Sequence, residues 1–224
     1  YRVSRDGKEI LPITKGDFDF INEVGMDMEK GLVYFIATPE NFTQRYLYQA
    51  KLFGKGEVKR LSPMDQAGQH SYNMSPSGKW AVHTFSNAQT PPVIDMVSFP
   101  GHKSVRIITD NAKAKEQWKA LGLNGKEFFK VQSGDWTLDG WMIKPVNFDA
   151  TKKYPTLLYC QGGPQSVVSQ FWSYRWNFQL MAAQGYVVVA PNRRGVPSFG
   201  QEWLDQISGD YSGQNIRDYL SAID

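Results

Sequence analysis

The chain has 224 residues, a formal net charge of +3, 41% hydrophobic residues and 14% aromatic residues. This composition supports a packed core and excludes general disorder. The small net charge is spread without runs of one sign, which excludes an electrostatic binder of nucleic acid. No apolar run reaches the roughly 18 residues of a membrane span.

The first half of the sequence predicts short strands separated by turns. Residues 23–28 and 32–37 form one hairpin, residues 45–50 and 57–61 form the next, and further strands lie at 80–85 and 93–97. Corresponding strands recur at about 40 residues, a spacing compatible with four-stranded blades. The pattern favours a β-propeller or a β-sandwich up to about residue 110.

The second half predicts a mixture of helices and strands. Residues 111–123 are helical in composition, residues 127–131 and 136–144 form a hairpin, and residues 173–184 form a helix that Gly185 ends. Consecutive apolar residues at 156–160 and 186–190 predict strands covered on both faces. The order of strand, glycine loop, helix and strand indicates an α/β sheet.

The loop after the first of these two strands is the main candidate for chemistry. Gln161 precedes Gly162 and Gly163, which let the backbone turn sharply with its amides exposed. Exposed amides can stabilise a developing negative charge, and the Gln161 side chain offers a further donor. The alternative is that Gln161 only caps the turn.

Three stretches of sequence carry a family resemblance. They read YPTLLYCQGGPQS, GYVVVAPNRRGVPSFGQEW and GDYSGQNIRDYLSAID. Together they resemble the start of the peptidase domain in the prolyl oligopeptidase family, in its dipeptidyl-peptidase and acylaminoacyl-peptidase branches. Residues 139–145 are similar to the family's entry into the hydrolase domain, and residues 73–79 to its recurrent blade turn.

The resemblance implies an architecture. Residues 1–110 would be the C-terminal blades of a β-propeller, 111–126 a linker helix, and 127–224 the N-terminal part of an α/β-hydrolase domain. The fold class expected is therefore all-β propeller blades followed by the beginning of an α/β-hydrolase.

The resemblance also implies a serine peptidase that releases N-terminal dipeptides through an acyl-enzyme. No serine here has glycine at both the second position before and the second position after it, so the GxSxGG elbow is absent. We therefore expect an interior piece of a longer chain, with the catalytic Ser, Asp and His outside it. The resemblance implies a peptide substrate, no cofactor and a periplasmic location, and it is compatible with a homodimer.

Two alternatives stand beside this interpretation. An acylaminoacyl peptidase or oligopeptidase of the same family is favoured by the GGP and NRRG loops. A propeller binding module with an inactive hydrolase domain is the alternative from another functional class.

The same resemblance implies roles for single residues. The oxyanion loop would be Gln161-Gly162-Gly163-Pro164, although relatives place Tyr or His at the position of Gln161. Arg194 is expected to tie its loop to a neighbouring carboxylate, while a substrate contact by Arg193 or Arg194 is the alternative.

Other residues that could react are interpreted as structural. Asp210 and Asp218 are interpreted as surface carboxylates. The single cysteine, Cys160, is predicted to be buried and inert on its strand. His70, His83 and His102 lack the spacing of metal ligands and are expected to be structural or on the surface, so no metal site is predicted.

Overall fold

The computed structural model describes residues 1–16, 18–54, 56–162 and 167–224. The chain divides into two compact units, one made of residues 1–87 and 92–111, the other of residues 88–91 and 112–224. The fold is mostly β-sheet, with one two-stranded and three four-stranded sheets among the described residues. Across these described ranges, no helix has the length and apolar character to cross a membrane.

The described residues of the first unit form ten strands in antiparallel sheets. The strands are β1 (Arg2–Val3), β2 (Ile10–Leu11), β3 (Phe20–Asp27), β4 (Leu32–Ala37), β5 (Tyr46–Lys51), β6 (Val58–Arg60), β7 (Gln69–Met74), β8 (Trp80–Asn87), β9 (Thr90–Ser98) and β10 (Lys103–Thr109). The sheet orders are β1-β2, β3-β4-β5-β6 and β10-β9-β8-β7. The predicted hairpins are confirmed.

The central strands β4 and β5 supply the core of this unit. Their aromatic and β-branched residues suit a pleated surface that is buried on both sides. One face of the pair carries Val33, Phe35, Ala37, Tyr46, Tyr48 and Ala50, and the other carries Tyr34, Ile36 and Leu47. The turn between β3 and β4 places Gly31 at a φ of 62°, a conformation that glycine adopts without steric cost.

A row of polar side chains crosses the neighbouring strands β7, β8 and β9. The Nδ1 atom of His70 lies 2.9 Å from Nε2 of His83, and Nδ1 of His83 lies 2.8 Å from Oδ1 of Asp95. At the other end, Nε2 of His70 lies 2.9 Å from the carbonyl oxygen of Gln66. Both imidazoles are buried, which agrees with a structural role and excludes a surface one.

Burial keeps these imidazoles neutral. It lowers the pKa of His70 to about 3 and also lowers the pKa of His83. The pKa of His102, whose Nε2 lies 2.7 Å from the Tyr72 hydroxyl, is lowered to about 4 by burial. Among the residues that the structure describes, no group of three or more His, Cys, Asp or Glu side chains is placed to hold a metal ion.

In its described part, the second unit contains four strands and four helices. The elements are α1 (Ala112–Ala120), β11 (Glu127–Ser133), β12 (Trp136–Ile143), β13 (Thr156–Leu158), α2 (Phe178–Ala183), β14 (Val187–Pro191), α3 (Gln201–Asp205) and α4 (Gln214–Ser221). Its sheet has the order β11-β12-β14-β13. The pairs β11–β12 and β12–β14 are antiparallel, whereas β13 and β14 are parallel.

The core of this unit lies between the sheet and α2. It is formed by Trp141, Ile143, Val168, Phe178, Ala182, Val188 and Ala190. Trp141 is fully buried, with its ring centroid 5.0 Å from that of Phe178. The contact between these two large rings fixes α2 on the sheet.

Two predicted elements are shorter in the structure. The strand expected at 156–160 ends at Leu158, and Leu157 is 37% exposed, so the expectation of cover on both faces is wrong for the described residues. The helix expected at 173–184 begins only after Asn177, because the Asn177 side chain accepts a hydrogen bond from the Leu180 amide at 3.0 Å. Gly185 ends it as predicted, with a φ of 96°.

Candidate functional site

Two loops leave the sheet of the second unit at the same edge. Strands β13 and β14 are parallel, with Leu158 opposite Val189, and the Tyr159 amide continues the pairing to the Val189 carbonyl at 2.8 Å. The carboxyl ends of parallel strands lie together, and ligands of α/β sheets bind at that edge. The residues after β13 and those after β14 are therefore neighbours.

The first loop contains Gln161 and Gly162. The Gln161 side chain is half-buried, and its Nε2 donates to the Gly162 carbonyl at 3.1 Å. Gly162 is exposed, and no described atom lies within 4 Å of the position that a Cβ would take there. The described residues therefore leave the Cβ side of Gly162 free. Gly163, the other predicted glycine of this loop, lies outside the described residues.

The second loop begins with Asn192, which fixes the segment after the glycine loop. The Asn192 side chain accepts from the Val168 amide at 2.7 Å and donates to the Val168 carbonyl at 3.0 Å. Asn192 is 1% exposed, so this pair of hydrogen bonds is shielded from water. Asn192 was not among the site residues predicted from the sequence.

Arg194 extends from the second loop to α4. Its Nη2 donates to Oδ1 of Asp218 at 2.6 Å, its Nε to Oδ2 at 3.1 Å, and its backbone amide to Oδ2 at 2.8 Å. Ser133, at the end of β11, donates to the same carboxylate at 2.7 Å. The expected carboxylate partner of Arg194 is thus Asp218, and the residues join β11, the second loop and α4.

The interpretation of Asp218 as a surface carboxylate is wrong. Asp218 is completely buried. Burial alone would raise its pKa, but the hydrogen bonds from the Arg194 side chain and backbone and from Ser133 lower it below the ordinary value of an aspartate. The carboxylate therefore stays ionised as a structural anchor, whereas Asp210 has a half-exposed side chain, in agreement with its interpretation.

Arg193 and Tyr219 lie behind the first loop. Arg193 is 3% exposed, and its Nη1 donates to the Arg194 carbonyl at 2.8 Å. Its guanidinium also hydrogen-bonds the phenol of Tyr219, whose hydroxyl donates to the Gln161 carbonyl at 3.5 Å. Burial, the largest effect, raises the pKa of Tyr219, so the phenol keeps its proton.

The helical spacing of residues on α4 could have indicated that Asp218 and Tyr219 are buried. Asn215, Asp218 and Tyr219 are the buried residues of this helix. They follow the i, i+3, i+4 pattern of one helix face, so a carboxylate in that pattern points to a buried partner.

Cys160 is exposed, which contradicts the prediction that it is buried. The strand ends before it, so the apolar pattern does not continue to this position. Partial burial of the thiol raises the pKa of Cys160, and the nearby Arg193 charge opposes that shift. A thiol with a raised pKa is a weak nucleophile, so the site offers no activated cysteine.

Two family models match parts of the chain. Residues 1–92 match the dipeptidyl peptidase IV N-terminal region, and residues 172–224 match the prolyl oligopeptidase family. The first match covers the first unit as far as the beginning of β9, and the second covers the part of the second unit from α2 to α4.

Curated proteins and a solved structure are also similar. Dipeptidyl-peptidase 5 of Porphyromonas gingivalis is 40% identical over 86% of this chain and 27% of its own length. Dipeptidyl-peptidase 5 of Arthroderma otae is 32% identical over 78% of this chain and 26% of its own length. The crystal structure of Porphyromonas gingivalis dipeptidyl peptidase 4 has a TM-score of 0.85 at 28% identity, over 99% of this chain and 31% of that one.

The chain thus spans between a quarter and a third of the length of these proteins. The family models, the curated relatives and the solved structure agree, and this chain belongs to the prolyl oligopeptidase family.

Proposed function

We propose that this chain is part of a serine exopeptidase that releases dipeptides from the N-terminus of peptides. The observation that carries the proposal is the open backbone at Gly162, at the carboxyl edge of the parallel pair β13–β14. The curated relatives named dipeptidyl-peptidase 5 support the choice of reaction.

In the proposed reaction, a serine outside this chain attacks the carbonyl carbon of the second substrate residue. The carbonyl oxygen becomes negative, and the backbone amide of Gly162 or the side-chain amide of Gln161 donates to it. The bond to the leaving amine then breaks, which leaves an acyl-enzyme that water hydrolyses. Gly163 is proposed to belong to the same loop.

The two arginines are proposed to position this loop. Both guanidinium groups are almost completely buried and bond to protein atoms. Because these groups are buried, a substrate is poorly placed to contact them. A loop held in one position is what a preorganised oxyanion site requires. The substrate contact suggested by the sequence is the less favoured role for Arg193 and Arg194.

We propose that the two units correspond to two parts of the family's architecture. Residues 1–110 would be C-terminal propeller blades, 111–126 a linker that contains α1, and 127–224 the first part of an α/β-hydrolase domain. Antiparallel four-stranded sheets in the first unit and the parallel pair in the second support this division.

A periplasmic location and a homodimer remain proposals that rest on the resemblance to bacterial dipeptidyl peptidases. Fractionation of cells that produce the intact protein tests the location. Light scattering of the purified protein tests the dimer.

The function is tested with the intact protein and chromogenic dipeptide substrates. We expect release of dipeptides that have a free amino group, and covalent labelling by a fluorophosphonate outside residues 1–224. Cleavage of N-acetylated substrates alone would instead indicate an acylaminoacyl peptidase. Absence of both labelling and turnover would indicate a binding module with an inactive hydrolase domain.

The part played by Gln161 is tested by Gln161→Ala. If its side chain donates to the oxyanion, kcat falls while KM changes little, because the interaction exists mainly in the transition state. A lower thermal midpoint with unchanged kcat would assign Gln161 to turn capping. Gln161→Tyr, which introduces the residue of many relatives, is expected to retain activity.

A further inference from the structure

We propose that Tyr219 is a positioning residue of the peptidase site. Its phenol fixes the orientation of the peptide bond between Gln161 and Gly162, so that the Gly162 N–H faces the substrate side. The inference rests on the proposed function and adds a residue on α4 that contacts neither the substrate nor the reacting atoms.

The direction of the hydrogen bonds follows from the groups involved. The Arg193 guanidinium can only donate, so the Tyr219 oxygen accepts from it. The single phenolic proton of Tyr219 is then free to be donated to the Gln161 carbonyl, 3.5 Å away. A charged donor on the phenol oxygen polarises the O–H bond and strengthens the second interaction.

The geometry of the peptide bond transmits this contact to the site. A trans peptide is planar, and its C=O and N–H point in opposite directions. A Gln161 carbonyl held towards Tyr219 therefore directs the Gly162 N–H away from α4. On Gly162 itself, no described atom lies within 4 Å of the Cβ position, so the described residues leave that side of the glycine free.

The phenol is itself held rigidly. Tyr219 is 5% exposed and directly follows Asp218, whose carboxylate binds Arg194 and Ser133. Arg193, which donates to the phenol, directly precedes Arg194 in the chain. Arg193 and Tyr219 therefore each lie next to one member of the buried ion pair. This anchor limits movement of the phenol relative to the loop, which a preorganised donor requires.

The test is Tyr219→Phe in the intact enzyme, which removes one oxygen atom and keeps the ring. Removal of an oxyanion donor lowers kcat about 100-fold or more, and loosening its orientation should cost roughly 10-fold with little change in KM. The affinity for a dipeptide boronate, which mimics the tetrahedral intermediate, should fall by the same factor, while that for the dipeptide product stays unchanged. The matched control is Tyr211→Phe, because Tyr211 is exposed, and it should leave all of these values unchanged.

Three outcomes decide the inference. A wild-type kcat in Tyr219→Phe, or a loss matched by Tyr211→Phe, overturns it. A fall in kcat with a proportional change in KM and product affinity assigns Tyr219 to ground-state binding and also overturns it.

Inactivity of the wild-type protein would refute the proposed function separately. The positioning role is then decided by amide hydrogen exchange in the peptide that contains Tyr159, Cys160 and Gln161. Faster exchange in Tyr219→Phe than in Tyr211→Phe supports it, and equal exchange overturns it.

Discussion

Arg194 and Asp218 form a buried two-point ion pair that connects the loop after β14 to α4. The Nη2–Oδ1 distance is 2.6 Å and the Nε–Oδ2 distance is 3.1 Å. Their side chains are 6% and 0% exposed. Both charged groups are desolvated, so the charge of each is balanced by the charge of the other.

Asp218→Asn should destabilise the protein strongly. The substitution leaves the Arg194 guanidinium buried without a counter-charge, and removal of one partner of a buried pair costs about 3–5 kcal/mol in the free energy of unfolding. Urea denaturation followed by Trp fluorescence measures the change. Asp210→Asn is the control, because its side chain is half-exposed and asparagine also caps helices. Equal stability of the two variants would contradict the structural role of the pair.

Asp95→Asn should be tolerated at pH 7 or should stabilise the protein. The row from Gln66 to Asp95 has three hydrogen bonds, but two neutral imidazoles supply only two protons when Asp95 is ionised. An asparagine amide would donate the third. Asp95→Ala, which cannot donate, is the matched control, and thermal melts of both variants measure the difference. Equal destabilisation by the two substitutions would show that His83 needs the charge of Asp95.

The histidines should stay neutral well below their ordinary pKa. Burial lowers the pKa of His70 to about 3 and that of His102 to about 4. NMR titration of labelled imidazoles should therefore show both as neutral at pH 5.5. A midpoint near 6.5 for either ring would contradict the burial seen here.

The same shift has a consequence for stability. At a pH between the folded and the unfolded pKa of His70, the unfolded chain binds more protons than the folded chain. The free energy of unfolding is therefore highest above about pH 6.5, as far as His70 affects it, and declines as the pH falls towards 3. For His70 alone the decline is at most about 1.4 kcal/mol per pH unit. Denaturation curves at pH 7, 6 and 5 should show it, and His70→Gln should reduce the slope.

Cys160 should react with iodoacetamide in the folded protein, because its side chain is exposed. Burial of part of the thiol raises its pKa, so the rate should still be rising at pH 9, where a free cysteine is largely ionised. Mass spectrometry of the alkylated peptide gives the rate. Cys160→Ser should retain peptidase activity, since no step of the proposed reaction uses the thiol. Protection of the native thiol until denaturation would restore the prediction made from the sequence.

Elements with strong local signals can be predicted from the sequence alone. The hairpin from β3 to β4 follows from strand-forming residues on both sides of Gly31, and the end of α2 follows from Gly185. The loop at Gln161 could also be predicted from the sequence, because glycines that follow a strand expose backbone amides in any tertiary context. Local backbone preferences decide all of these features.

Contacts between polar groups that are distant in the sequence depend on the tertiary fold. The spacing along α4 places Asp218 on one helix face, but the residue is buried because Arg194 and Ser133 lie opposite it. Likewise, Tyr219 meets the carbonyl of Gln161, 58 residues away, only because the parallel pairing of β13 with β14 brings their loops to one edge under α4. Burial of a charge or a phenol depends on partners far away in the chain, which a local pattern does not encode.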